Sequence, residues 1–147
     1  MLIKPNPANP CFACGGANTR GMQLTFDQDD AARRIRGAFR IGAEYEGGSG
    51  FVHGGIIATL LDEVMAKVSR FVQDRAVTAE LTVEYRKPIP VEVDLVVEGW
   101  EVSRKGRSLY REGEIRDVSG ALLARGRGHF IMVDPERFKS AGAGDGK

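Results

Sequence analysis

The sequence predicts an α+β fold in which an antiparallel β-sheet is wrapped around one long central helix. Two observations carry this. Apolar residues recur at spacings of three and four only between Gly54 and about Gln73, whereas the chain before and after alternates apolar and polar residues with the period of a strand. One helix covers only one face of a sheet this long. The other face must meet solvent or a partner, and Val, Leu and Trp on the strands point to a dimer.

In chain order, "PNPANPCFACGGANTRG" is rich in Pro, Asn and Gly and reads as an irregular arm, residues 1–21. The main domain is expected over 22–134. "MQLTF" and "RIRGAFRI" alternate around the turn-like "DQDDAAR" and read as two short strands. The helix follows, with Ile57, Leu60, Leu61, Val64, Met65, Val68, Phe71 and Val72 on its apolar stripe. Thr59, Asp62, Ala66 and Ser69 form a second, small-residue row, and Glu63, Lys67 and Arg70 a charged row beside it. Next, "AVTAELTVEYRKPIP" sets Val77, Ala79, Leu81, Val83 and Tyr85 on one face and Thr78, Glu80, Thr82 and Glu84 on the other. "VEVDLVVEGWEVSRKG" reads as a long strand whose apolar positions change parity near Val96 and Val97, which predicts a β-bulge there. "RSLYREGEIRD" and "ALLARGRGHFIMVD", joined by the turn "VSG", complete a meander of four strands. Residues 135–147, ending "SAGAGDGK", are expected to be a flexible tail.

The 147 residues suit one domain. A formal net charge of +1 lacks the basic excess of a nucleic-acid-binding domain. No apolar run approaches a membrane span, and the apolar start is too short for a signal peptide. Two cysteines are too few for a disulfide framework, so a cytoplasmic location is expected.

The stretch "GGSGFVHGGIIATLLDE", Gly47 to Glu63, carries the chemistry. The first N–H groups of a helix lack internal acceptors and sit at the positive end of its dipole. Glycines at that end let a carbonyl oxygen approach the backbone, so Gly54 and Gly55 could stabilise an oxyanion. Asp62, two turns further on, is a candidate base or nucleophile. It has no basic neighbour at i±3 or i±4, yet a solvated helix position explains it equally well on spacing alone. Glu63 precedes Lys67 by four residues, and an ordinary surface ion pair accounts for it. His53 also reads as a simple loop histidine at the helix start, and His129 as structural. Cys11 and Cys14 form one C-x-x-C, with no second ligand pair to complete a zinc site, so a tight turn with reduced thiols and no metal is expected. Arg104, Lys105 and Arg107 cluster at a hairpin and would suit a phosphate-bearing ligand as well as solvent.

"GSGFVHGGIIATLLDE", "TAELTVEYRKPIP" and "RGHFIMV", together with the opening "CFACGGANTRGMQLTF", resemble the hotdog-fold acyl-CoA thioesterases of the PaaI-like branch over roughly Cys11 to Val133. The resemblance implies a homodimer, in places paired again to a tetramer, with the active site between subunits. By that resemblance Asp62 corresponds to the catalytic acid, with Glu63 as runner-up, and the Gly54 N–H, helped by Gly55, polarises the thioester oxygen. His53 orients the loop or contacts the carbonyl, and Thr78 holds the water. Gly47 departs from the pattern, since some members carry Asn or Gln there. The implied function is hydrolysis of a fatty or aromatic acyl-CoA, without metal or cofactor and without nucleic-acid or membrane partners, Arg104, Lys105 and Arg107 meeting the coenzyme A phosphates. A non-catalytic acyl-CoA or lipid binder of the same fold is the alternative; a hydratase and a zinc-stabilised module are weaker rivals.

Overall fold

The computed structural model describes residues 1–136. Seven strands, β1 (Leu2–Ile3), β2 (Phe26–Asp29), β3 (Arg34–Arg40), β4 (Ala76–Tyr85), β5 (Asp94–Lys105), β6 (Ser108–Asp117) and β7 (Leu122–Met132), form one sheet with the helix α1 (Gly54–Ala66) against it. All neighbours are antiparallel in the order β1-β2-β3-β5-β6-β7-β4. This is the wrapped sheet that the residue patterns predict. The expected meander of four strands is one of three, β5-β6-β7, because β4 pairs with β7 at the far edge and not with β5. Most of the expected tail, 135–147, lies outside the described residues.

The helix is held by its apolar stripe: Ile57, Leu60, Leu61, Val64 and Met65 are buried against the sheet. It lies close because glycines face it. Gly99, Gly113 and Gly126 stand opposite one another in register across β5, β6 and β7. A Cβ on Gly99 would come within 2.9 Å of the Val64 carbonyl oxygen, and one on Gly126 within 3.2 Å of Leu61. The adjacent row, Arg36, Glu98, Glu114, Arg125 and Glu84, points the other way. There Arg34 and Arg36 pair with Glu98, and Arg116 and Arg125 with Glu114. Burial raises the Glu114 carboxyl, but hydrogen bonds from Arg125 and Arg116 more than offset this and hold it below its usual range.

At the end of α1, a 3₁₀ turn over Lys67–Phe71 continues the predicted helix. Arg111, almost fully buried, donates to the Met65 carbonyl at 3.1 Å and faces Glu101 and Asp74. One charged side chain thereby ties the helix end to the sheet.

Three further expectations, on the strands and the arm, need correction. β5 is regular through Val96 and Val97, with Leu95, Val97 and Gly99 buried in alternation; its register shift falls between Glu101 and Ser103. The apparent parity change was an outward-facing Val96, 40% exposed, on the charged face. Only Phe26 of "MQLTF" enters a strand, because Gln23 takes a positive φ of 50°. The arm is irregular as expected but also supplies β1, and its Ile3, Ala13 and Cys14 are buried.

Candidate active site

His53 is the N-cap of α1. Its Nδ1 accepts from the Gly55 N–H at 2.8 Å, which fixes the ring over the first turn. The His53 backbone N–H donates to the Tyr45 carbonyl, anchoring the loop. Gly47 packs against this histidine: a Cβ there would lie 3.1 Å from the His53 Cα. Loop and histidine therefore fit through the absence of a side chain at position 47.

The cap divides the two glycines. The Gly55 N–H is engaged by His53, whereas the Gly54 N–H has no acceptor among the described residues. One orphan donor thus points out of the positive end of the helix. The Tyr85 hydroxyl donates to the Gly54 carbonyl at 2.8 Å and braces the same residue from β4. Beside it opens an apolar cleft of about 370 Å³ lined by Phe51, Ile57, Tyr85 and Ile89, with Arg86 and Lys87 at its wall.

Asp62 is half-buried on α1 and accepts from the Thr78 hydroxyl at 2.7 Å through Oδ1; Oδ2 has no partner among the described residues. Strict alternation puts Thr78 on the face opposite Leu81, Val83 and Tyr85. The structure turns it toward the helix because β4 carries a bulge between Thr78 and Glu80. Beyond that bulge Leu81 and Val83 pack on the core and Tyr85 reaches Gly54.

Glu63 faces the other way. The expected ion pair with Lys67 does not form: the Cys11 thiol lies 3.9 Å from Glu63 Oε1, and Lys67 Nζ donates to Cys14 Sγ at 3.2 Å. Both cysteines are unbridged, and the turn between them is tight, the Gly15 N–H donating to the Cys11 carbonyl at 2.9 Å. Burial, and next the charge of Glu63, push the Cys14 thiol up to about 12, so it is neutral at pH 7.

Arg104, Lys105 and Arg107 sit at the β5–β6 turn, beside the C-terminal end of the helix. Arg104 is held by Asp74 and Glu101, and Arg107 by the Met132 carbonyl; Lys105 has no partner among the described residues. Within one chain they are not brought together with Gly54. The Tyr85 brace and the cations Arg86 and Lys87 were missed from the sequence, although "YRKP" directly after a predicted strand was the available signal. His129 is structural: it meets Ser108 at 2.9 Å and stacks on Tyr110. No helix among the described residues is long and apolar enough to cross a membrane.

Residues 49–124 match the family described as the thioesterase superfamily. Acyl-coenzyme A thioesterase THEM4 of Rattus norvegicus is 32% identical over 118 residues, covering 80% of this chain and 51% of its own; THEM4 of Xenopus laevis is 30% identical, with 70% and 46% covered. The chain spans about half the length of the curated relatives it matches. Among solved structures, a thioesterase superfamily protein superposes with a TM-score of 0.77 at 27% identity, covering 83% of this chain and 60% of that one. A Streptococcus mutans protein bound to acetyl-CoA superposes at 0.65 and 20% identity, with 68% and 81% covered, and supports the fold alone.

Proposed function

The chain belongs to the thioesterase superfamily, and from that premise we propose that it hydrolyses fatty or aromatic acyl-CoA thioesters to the free acid and coenzyme A, as a member of the PaaI-like branch. The observation that carries this reading is the unengaged Gly54 N–H at the mouth of an apolar cleft. The thioester oxygen accepts from that N–H, which stabilises the negative charge growing on it. Asp62, steadied by Thr78, takes a proton from water as the hydroxyl oxygen bonds to the carbonyl carbon. Collapse of the tetrahedral intermediate breaks the C–S bond, and the proton passes from Asp62 to the departing thiolate.

Both groups cannot act on one carbonyl within one chain. Eight residues at about 1.5 Å each separate them by roughly 12 Å along the helix axis, beyond the span of a single carbonyl and its attacking water. The reading therefore requires a homodimer in which Gly54 of one chain faces Asp62 of the other. Among the described residues the outer edge of β4 has no strand beside it, and its Val77 and Tyr85 are exposed. Two such edges paired about a two-fold axis run the helices antiparallel, setting each helix start against its partner's middle. Lys87 and, from the second chain, Lys105 are the cations offered to the coenzyme A phosphates, with Arg86 beside them paired to Glu84 at 3.1 Å. The free thiols fit a reducing compartment, the cytoplasm.

Thiol release from short, long and aromatic acyl-CoAs tests the activity and gives the acyl preference. Asp62→Asn keeps the shape and removes the base, and a fall of roughly two orders of magnitude or more is expected. Acyl-CoA binding without turnover by the wild type would make the protein a binder instead.

A further inference from the structure

The arm and the central helix bring together three groups that the thioesterase chemistry leaves unused. The ligand atoms of Cys11, Cys14 and Glu63 all lie within 4.8 Å of one another, Cys14 buried and the other two half-buried. We propose that Cys11, Cys14 and Glu63 form a binding site for a zinc-class divalent cation that staples the N-terminal arm to helix α1.

In sequence the C-x-x-C lacks further ligands; the third donor comes from a residue 52 positions beyond Cys11, brought in by the fold. Two sulfurs and one carboxylate oxygen are a donor set suited to Zn²⁺ rather than to Mg²⁺ or Ca²⁺, which take oxygen ligands. The tight Cys11–Gly15 turn holds both sulfurs toward the same helix face. Charge also balances. Two thiolates and a carboxylate carry three negative charges, offset by a divalent ion and the Lys67 ammonium, which already donates to Cys14 Sγ at 3.2 Å. Lys67 thus sits where an outer-sphere donor to a metal-bound thiolate belongs. Binding releases the thiol protons and leaves the fourth coordination position on the side of the half-exposed Cys11 and Glu63. The absent Glu63–Lys67 ion pair fits as well, since each of the two turns to a cysteine instead.

The test is a titration of the full, phosphine-reduced, metal-stripped chain with Co²⁺, whose thiolate charge-transfer absorption reports sulfur ligation directly, followed by displacement with Zn²⁺. One cobalt per chain with that band is expected, together with a rise in thermal midpoint on adding Zn²⁺. Cys11→Ser should abolish the band, and Glu63→Gln, a half-exposed and nearly isosteric change, should weaken binding by about tenfold or more. The proposal is overturned if the reduced wild type shows no thiolate–cobalt band, or if affinity is unchanged in Glu63→Gln. The wild-type titration decides even where a cysteine variant fails to fold.

Discussion

At Gly54 the group proposed to hold the thioester oxygen is a peptide N–H, which makes it removable without touching a side chain. The residue is the first of α1, where proline is favoured, and His53 before it has φ −58° and ψ 136°, a conformation that a following proline accepts. Gly54→Pro should therefore preserve the helix, checked by circular dichroism, while kcat falls by about 10²- to 10³-fold. Gly54→Ala keeps the N–H, and its Cβ would meet the Tyr85 hydroxyl at an ordinary 3.4 Å, so most activity should remain. The His-Gly-Gly start was legible in the sequence because capping is local chemistry. The partners of Glu63 were not, because they come from an arm 52 and 49 residues away and outcompete the helical neighbour Lys67.

Among the elements, the row Gly99, Gly113 and Gly126 is what allows the helix to lie so close to the sheet. Gly99→Ala would drive a methyl to 2.9 Å from the Val64 carbonyl oxygen, which neither side chain nor rotamer can relieve. A loss of about 1–3 kcal/mol is expected in chemical denaturation, as for an overpacked core. An unchanged midpoint would mean that the helix is free to lift. Helix and strands could be read from period alone, yet the positions of the irregularities could not. An exposed Val96 mimics a bulge, while the actual bulge between Thr78 and Glu80 leaves no mark in the alternation of "AVTAELTVEY". That second displacement matters for the site, since it turns Thr78 onto the helix side and within 2.7 Å of Asp62.

For the whole molecule, the face away from the helix is a row of cross-strand ion pairs rather than a second core. Glu114 has a carboxyl pKa lowered in the folded state, so its contribution to stability is present above the unfolded value near 4.5 and is lost as pH falls through the lower folded value. Glu114→Gln should therefore destabilise the protein at pH 7 and flatten the loss of stability on acidification below about pH 4.5, measured by urea midpoints across that range. An acid profile identical to the wild type would remove Glu114 from the account. Gly54 and Asp62 of one chain stand eight residues apart, roughly 12 Å along the helix axis, and β4, the edge strand among the described residues, is where a second chain would bring the proposed groups together.

Subunit mixing tests that composite site most directly. Asp62→Asn and Gly54→Pro chains, each inactive alone, are unfolded together, refolded in equal amounts and assayed for thiol release from acyl-CoA. If each site takes its Gly54 N–H from one chain and its Asp62 from the other, half of the dimers are mixed and each holds one intact site, so about a quarter of wild-type activity returns. A mixture no more active than its two components would contradict the shared site.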